Sequence, residues 1–246
     1  MAAVRRSAHS PVREISTTVA RLRRVVLDRL IRYHRRVAEL SARKPLRNIT
    51  SAELGAALDI DASQVRKDFA AVGLSGVTRV GYDAWEVCGA ISNALGFDDP
   101  YPAVLVGVGH LGGALLNYAG FDTYGLRIVA AFDSDPEKVG QQVSGFTVQS
   151  VHGLKSFIES NEIPLVILTT PAAVAQGLAD LAVVAGAKAI WNFTPARLKV
   201  PRGVLARNEF LSGGLAQIAY HLHGMRPGHN GDGARADGPP PTEVAP

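Results

Sequence analysis

The chain has 246 residues, 47% of them hydrophobic and 20% charged, a composition typical of a globular protein with one large domain or two small ones. No apolar stretch is long enough to span a membrane, no signal-peptide pattern opens the chain, and the single cysteine, Cys88, excludes an intrachain disulfide and a cysteine-based zinc cluster, so we expect a cytoplasmic protein. The net charge of +4 is uneven, because residues 1–97 hold 16 Lys and Arg against 9 Asp and Glu, whereas residues 98–246 hold 10 against 13.

The N-terminal part of the sequence predicts a helical domain. Residues 1–15 are polar and basic without periodicity, so we expect a disordered tail there. Thr18–Leu40 repeats apolar residues at spacings of three and four, the period of an amphipathic helix. Next come Ala52–Leu58, with Thr50 or Ser51 as its N-cap, and a segment that starts at Asp61 or Ser63 and ends near Val72. Two short helices joined by a tight turn are typical of a helix-turn-helix.

A small hairpin is predicted after these helices. Glycines 73, 76 and 81 surround Val77–Val80, and a hairpin at this place would make the unit a winged helix. Tyr82–Leu95 predicts a further helix, and Gly96–Pro100 predicts a linker. We therefore place a winged-helix DNA-binding domain at residues 16–97, where the basic excess suits a phosphate backbone, although a solvated basic tail and helix would have the same composition.

Strands and helices alternate from Pro102 onwards, which specifies a parallel sheet covered by helices. The first and third strands are apolar throughout, as strands buried on both faces should be. We place this Rossmann-type domain at residues 100–208. The predicted strands are Val104–Val106, Ile128–Phe132, Leu165–Thr169 and Ala189–Phe193, and the predicted helices are Gly112–Tyr118, Val151–Ser160 and Ala172–Ala185.

A G-x-G-x-x-G pattern follows the first of these strands, at Gly107, Gly109 and Gly112. Gly107 allows a tight turn, Gly109 lets backbone approach a pyrophosphate, and Gly112 lets the next helix pack closely, with its N-terminus towards the phosphates. Asp133 ends the second strand, where it could accept hydrogen bonds from an adenosine ribose diol. A carboxylate there disfavours a 2′-phosphate, so the pattern predicts NAD(H) rather than NADP(H).

The C-terminal part predicts one more helix, at about Leu211–Leu222, outside the sheet. Two glycines cost roughly 1 kcal/mol each inside a helix, so we expect this helix to start at or after Gly214. His221 and His223 lie two residues apart and point away from each other, which does not indicate a metal pair. Residues 226–246 are rich in Gly, Pro and Ala, and we expect a second disordered tail there.

Six segments together resemble the redox-sensing transcriptional repressors called Rex. The resemblance implies a homodimer in which each winged helix reads half of a palindromic DNA operator and each Rossmann domain binds NAD(H), with NADH releasing the protein from DNA. It also implies that the C-terminal helix, residues 209–225, is exchanged between the subunits. The segments that carry it are Ser63–Phe69, Val80–Tyr82, Gly107–Gly112, Leu115–Phe121, Ala131–Gly140 and Asn192–Pro195.

The resemblance also implies roles for single residues on the DNA side. Arg66 and Lys67 open the recognition helix and would contact DNA, and Ser63 and Gln64 would reach base edges or phosphates. An exposed helix turn explains these residues without any DNA. The family's wing has a basic tip, of which only Arg79 remains in the stretch from residue 70 to 79, and an arginine there would reach the minor groove.

Other roles concern the ligand and the switch. By resemblance, Tyr118 would lie near the nicotinamide at the domain interface, Arg35 would sense it there, and Glu209 matches an aspartate that precedes the exchanged helix. Ordinary packing and a solvated helix face are the alternatives for Tyr118 and Arg35. Further cofactor-binding candidates are His110 and Leu111 in the glycine turn, Lys138 after Asp133, and Thr169, Thr170 and Pro171 at a strand's carboxyl end, where ligands bind in open α/β sheets.

Two other functions fit part of the sequence, and the first of them shares the glycine pattern. An NAD-dependent oxidoreductase needs a proton donor or acceptor beside the nicotinamide, and neither His110 nor His152 is well placed for that. No second substrate domain of adequate size remains, so we expect neither catalytic residues nor an enzyme, and no metal site. A nucleotide-binding domain of the acyl-CoA ligase type shares the sheet but leaves the basic N-terminal half unexplained.

Overall fold

The structure is a computed structural model that describes residues 22–43, 47–209 and 211–224. It divides into two compact units. The first comprises the chain up to Ala103 together with Leu115–Val129, and the second comprises Val104–Ala114 together with the chain from Ala130 onwards. Both expected tails, at residues 1–15 and 226–246, lie outside the described residues. In the described part, no helix has the length and apolar character that a bilayer crossing requires.

The first unit contains the predicted helix-turn-helix. Its helices are α1 (Arg24–Arg43), α2 (Ser51–Leu58), α3 (Ala62–Ala71) and α4 (Ala84–Leu95). Thr50 caps α2, because its side chain accepts from the Glu53 backbone N–H while the Glu53 carboxylate accepts from the Thr50 backbone N–H. Asp61 caps α3 by accepting from the Ser63 backbone N–H at 2.7 Å. Only three residues separate α2 from α3, which gives the tight turn.

The wing is smaller than a hairpin of two full strands. Val77 and Gly81 form an isolated bridge, while β1 (Asn48–Ile49) pairs antiparallel with β2 (Tyr82–Asp83). The ring of Phe69 packs edge-to-face on Tyr33 and Tyr82, with ring centroids 5.5 and 4.8 Å apart. These three rings join α3, α1 and β2, so the recognition helix and the wing share one core.

The sheet of the Rossmann-type fold has seven strands, and the predicted architecture is confirmed. They are β3 (Tyr101–Val106), β4 (Leu126–Asp133), β5 (Gln142–Val143), β6 (Phe146–Ser150), β7 (Leu165–Leu168), β8 (Ala189–Asn192) and β9 (Leu205–Asn208). Their order is β5-β6-β4-β3-β7-β8-β9, and from β6 to β9 this is the 3-2-1-4-5-6 order of a dinucleotide-binding sheet. The β4–β6, β7–β8 and β8–β9 pairs are parallel, and β5 runs antiparallel to β6.

Four further α-helices are α5 (His110–Leu116), α6 (Leu154–Asn161), α7 (Ala172–Val184) and α8 (Leu211–Gly224). The expectation that the last helix starts at or after Gly214 is wrong, because α8 begins at Leu211 and contains both Gly213 and Gly214. A helix penalty of about 1 kcal/mol per glycine is only a weak prior, and the good helix formers that follow outweigh it. A 3₁₀ segment at Ala119–Tyr124 follows α5 and was not predicted.

Candidate functional site

A cavity of about 610 Å³ lies in the second unit, beside the carboxyl ends of β3, β4 and β7. From β3 the chain continues to its neighbour β4, and from β7 it continues to β8 in the opposite direction along the sheet. The cavity therefore lies at the switch point where open α/β sheets bind ligands. Most of the predicted cofactor residues line it, namely Gly107, Gly109, Asp133, Lys138, Thr169, Thr170 and Pro171.

The three glycines of the pattern have different reasons to be glycine. Gly107 has a φ of +102°, and a Cβ there would come within 2.8 Å of the Thr170 methyl group. A Cβ on Gly112 would overlap the Gly107 carbonyl oxygen, so Gly112 allows α5 to pack against the turn. A Cβ on Gly109 would meet nothing within 4 Å. Because no described residue demands a glycine at position 109, the open space beside it suits a ligand's close approach.

The Asp133 carboxylate is buried and holds the glycine turn. One oxygen accepts from the Val108 backbone N–H at 2.7 Å, and the other accepts from the Asp135 backbone N–H at 2.9 Å. Burial favours a higher pKa for Asp133, but these hydrogen bonds and the Lys138 ammonium group at 3.3 Å outweigh it, so the pKa is lowered and the group is ionised. Oδ2 accepts from both Val108 and Lys138, whereas Oδ1 accepts only from the Asp135 N–H among the described residues and keeps a lone pair for a ribose hydroxyl.

Lys138 lies between two carboxylates at the rim of the cavity. Its Nζ is 3.3 Å from Asp133 and 3.8 Å from Asp135, and its side chain is 38% exposed. Asp135 also lines the cavity, and no role was predicted for it from the sequence. Two carboxylates against one ammonium group leave this end of the cavity with an excess negative charge, which is unfavourable for a 2′-phosphate.

Thr169 and Thr170 follow β7 and differ in their hydrogen bonding. The Thr169 hydroxyl donates to the Gly107 carbonyl at 2.6 Å and lies 3.1 Å from the Val106 carbonyl, so it ties the end of β7 to the glycine turn. The Thr170 hydroxyl is buried and has no hydrogen-bond partner among the described residues. Pro171 is the N-cap residue of α7 and supplies no side-chain cap.

The recognition helix α3 exposes Ser63, Arg66 and Lys67 on one side. Arg66 donates to the Ser51 hydroxyl at 3.1 Å, so it is held loosely on α2 and can exchange this bond for a phosphate or a base edge. Gln64 is half-buried and donates to Asp68 at 2.9 Å. The outward cationic groups of α3 are therefore Arg66 and Lys67, while Gln64 is turned towards its own helix.

Asp68 holds α3 on α1 through a buried network. Its carboxylate accepts two hydrogen bonds from Arg29, at 2.6 and 2.8 Å, one from the Tyr33 hydroxyl at 3.0 Å, and the bond from Gln64. Burial favours a higher pKa for Asp68, but these four donors outweigh it and the pKa is lowered. No role was predicted for Asp68. Its three-residue spacing from Val65 and its position beside Phe69 place it on the inward stripe of α3, and a buried charge on such a stripe needs a partner.

The wing residue Arg79 is exposed and has a φ of +66°, a left-handed conformation that turns the chain at the wing tip. Val77 and Val80 flank it, with exposed fractions of 64% and 47%. The wing tip thus offers one guanidinium group between two apolar side chains.

Two of the three predicted switch residues, Tyr118 and Arg35, lie in the first unit, and the third, Glu209, lies in the second. Tyr118 is exposed in the first unit, where its ring packs edge-to-face on Phe121 at 4.9 Å. Arg35, also in the first unit, pairs with Glu39 at 2.8 Å. Glu209, in the second unit, accepts from the Trp191 indole at 3.2 Å and from Arg207 at 2.8 Å. Burial favours a higher pKa for Glu209, but these two donors outweigh it and the pKa is lowered.

Two family models match the chain. One, described as "CoA binding domain", matches residues 98–196, and the other, described as "Putative DNA-binding protein N-terminus", matches residues 18–70. The range 18–70 contains the helix-turn-helix except for the last residue of α3, the range 98–196 contains most of the parallel sheet, and residues 71–97 lie between them.

Curated relatives match most of the chain. The redox-sensing transcriptional repressor Rex of Streptomyces coelicolor is 38% identical over 217 residues, which are 88% of this chain and 82% of that protein. The protein of the same name from Clostridium botulinum strain Eklund 17B is 35% identical over 82% of this chain and 95% of its own length.

Solved structures of a Rex-family repressor named RSP are similar over 82% of this chain. The complex of RSP with β-NAD⁺ and operator DNA has a TM-score of 0.77 at 36% identity, and the match covers 93% of the RSP chain. The complex of RSP with β-NADH has a TM-score of 0.73 at 36% identity, and the match covers 95% of the RSP chain. These similarities extend through both units rather than through the sheet alone.

Proposed function

Because the chain belongs to the Rex family of redox-sensing transcriptional repressors, we propose that it binds a palindromic DNA operator and releases it when NADH occupies the cavity of the second unit. The observation that carries this proposal is the presence, in one chain, of an exposed basic recognition helix and a glycine turn that opens onto a cavity of about 610 Å³. Each of the two features has a ligand of its own.

The residues of the cavity fit a dinucleotide. Gly109 leaves backbone open to a pyrophosphate, and the lone pair that remains on Oδ1 of Asp133 suits an adenosine ribose hydroxyl. The excess negative charge of Asp133 and Asp135 over Lys138 favours NAD(H) over NADP(H). When it is bound, the nicotinamide carries the redox state of the ligand, and the protein needs only to distinguish its two forms.

On the DNA side, Arg66 and Lys67 contact the major groove or its phosphates, with Ser63 beside them at the start of α3 and Arg79 at the minor groove. The Gln64 side chain donates to Asp68, so it reaches DNA only if DNA binding breaks this hydrogen bond. Phosphate contacts fix the register of the protein on the duplex, and base-edge contacts give the sequence preference.

We infer that the protein acts as a homodimer through α8. Leu215, Ile218 and Leu222 follow one another at spacings of three and four residues, and each is more than half exposed in the single chain. An exposed apolar stripe of this kind is stabilised when it packs against another surface, here that of a second copy with which the helix is exchanged. In the dimer, Tyr118, Arg35 and Glu209 take part in the response to the nicotinamide.

NADH can release DNA without any chemical step. A ligand shifts a conformational equilibrium only by the difference in its affinity for the two states, so NADH must bind the DNA-released arrangement more tightly than the DNA-bound one. Operator half-sites about 34–36 Å apart fix the separation of the two recognition helices, so a small rearrangement within the dimer is enough to lose both contacts.

The test is a titration of a palindromic duplex, selected by the protein from a random-sequence library, at one fixed salt concentration. Fluorescence anisotropy of the labelled duplex should show specific binding that NADH weakens and NAD⁺ weakens much less. Duplex binding that is indifferent to NADH contradicts the proposal. If NADH is instead consumed in the presence of a carbonyl substrate, the chain is an oxidoreductase.

A further inference from the structure

The Thr170 hydroxyl stands out among the polar groups around the cavity. It is one of three buried side-chain atoms in the described residues that have no hydrogen-bond partner, and of the three residues that carry these atoms it alone lines this cavity. A buried hydroxyl without a partner costs free energy, and such groups in native proteins are commonly paired with a ligand or a water molecule. The neighbouring Thr169 hydroxyl, by contrast, already bonds to the protein backbone.

The strand order indicates which part of a dinucleotide Thr170 would meet. Asp133 ends β4 and Thr170 follows β7, and these strands lie on opposite sides of β3 and its glycine turn. If the ribose of the adenosine half lies at Asp133, as the proposed function holds, a dinucleotide laid across the glycine turn has its nicotinamide half on the β7 side. The adenosine half then lies away from Thr170.

The side chain can present its hydroxyl to this half by a small movement. The Thr170 methyl group lies towards Gly107, within 2.8 Å of where a Cβ on that glycine would be. Turning about the Cα–Cβ bond by one staggered position puts the hydroxyl where the methyl group was and the methyl group where the Cβ hydrogen was, which moves the hydroxyl to the side of the glycine turn. This movement disrupts no side-chain hydrogen bond of Thr170 among the described residues.

We propose that Thr170 is a ligand-binding residue for the nicotinamide half of the dinucleotide, whose ribose pairs with its hydroxyl. This inference rests on the proposed function. Thr169 is a positioning residue, because its hydroxyl is used within the protein and acts through the glycine turn.

The experiment compares Thr170→Val, which removes the hydroxyl and keeps the shape, with Thr170→Ser, which keeps the hydroxyl and removes the methyl group. Isothermal titration calorimetry on the full chain with NADH and with ADP measures the two halves separately, since ADP lacks the nicotinamide and its ribose. Thr170→Val should bind NADH roughly threefold to tenfold more weakly and bind ADP as the wild type does. Thr170→Ser should bind both as the wild type does.

The ligand-free melting temperatures give a second readout with the opposite sign. Thr170→Val removes an unpaired buried hydroxyl, so its melting temperature should equal or exceed that of the wild type. Thr169→Val leaves the Gly107 carbonyl without its hydroxyl partner, so its melting temperature should fall. A lower melting temperature for Thr170→Val overturns the inference, because the hydroxyl would then have a structural partner.

Other results also overturn it. Unchanged NADH binding by Thr170→Val, equal weakening of NADH and ADP, or weakening by Thr170→Ser each contradicts a specific hydrogen bond to the nicotinamide half. A wild-type protein that fails to bind NADH contradicts the proposed function and this inference with it. A wild type that binds NADH while Thr170→Val binds it equally well contradicts this inference alone.

Discussion

Replacing Asp68 with Asn should destabilise the first unit by about 2–3 kcal/mol. Arg29 forms two short hydrogen bonds to this carboxylate, and the side chains are 18% and 3% exposed. Removing one member of a buried ion pair costs about 3–5 kcal/mol when the other charge is left without a partner. The expected loss is smaller here because Arg29 is partly solvated and the asparagine oxygen still accepts from one donor.

Urea unfolding measures this loss in the full chain. The sequence has two tryptophans, of which Trp85 lies in the first unit and Trp191 in the second. In a Trp85→Phe background, indole fluorescence therefore reports on the second unit, while circular dichroism at 222 nm reports on all helices. With a slope of about 1–3 kcal/mol per molar urea, the helical transition should move down by roughly 1–2 M and the Trp191 transition should not move.

A double-mutant cycle tests the cause. Arg29→Met leaves the carboxylate buried and without its ion-pair partner, so it should also be destabilising, and the double variant should be less destabilised than the two single losses added together. Asp68→Asn should weaken operator binding as well, although Asp68 faces α1 rather than DNA. An unchanged urea midpoint for Asp68→Asn, or strictly additive losses in the cycle, would refute the reasoning.

Three further predictions concern DNA, the cofactor and pH. Arg66→Ala should weaken operator binding and reduce the slope of log affinity against log salt by about 1, while calorimetry shows unchanged NADH affinity. Asp133→Asn should weaken NADH binding more than NADPH binding, because it removes a charge that accepts from ribose and repels a 2′-phosphate. The pKa values of Asp68 and Asp133 are lowered in the folded protein, so their ionised forms stabilise it fully above the unfolded-state pKa of about 4. This stability is lost as the pH falls through the folded-state pKa values. Urea midpoints should therefore drop on acidification, and they should drop less in Asp68→Asn.

Matched controls come from α6, where Lys155 and Glu159 form an exposed pair at 3.7 Å. Lys155→Ala removes one positive charge from the second unit, outside the recognition helix, and should leave the salt slope unchanged. Glu159→Gln removes one negative charge away from the cavity and should leave the preference for NADH over NADPH unchanged. Loss of NADH affinity in Arg66→Ala would indicate misfolding, an unchanged NADH preference in Asp133→Asn would remove its ribose role, and an acid-insensitive midpoint would contradict the pH prediction.

Several helices were the predictable part of the fold, although α1, predicted at Thr18–Leu40, is found at Arg24–Arg43. α2, α3, α4 and α7 lie within two residues of their predicted positions, because apolar spacing and capping residues are local signals. β5 and β9 were missed, since strands of two and four residues with half-exposed side chains have no clear alternation. β6 was missed for the same reason, being mostly exposed or half-buried.

The candidate site was predictable in its members but not in its hydrogen bonds. The glycine turn, Asp133 and the residues after β7 were found because motif spacing fixes where strands end. These hydrogen bonds depend on side-chain rotamers that long-range contacts set. Asp133 accepts from the Val108 N–H, Gln64 donates to Asp68, and the Thr169 hydroxyl donates to the Gly107 carbonyl while the Thr170 hydroxyl has no partner among the described residues. A single sequence carries no direct signal for such choices.

The recognition helix keeps its anchorage and its reading surface on separate residues. Val65, Asp68 and Phe69 secure α3 against the rest of its unit, and Ser63, Arg66 and Lys67 face outwards. Substitutions on the outward side can therefore retarget the repressor to a new operator without eroding the scaffold that presents them. The DNA sequence preference of this helix and the stability of its unit can therefore change almost independently.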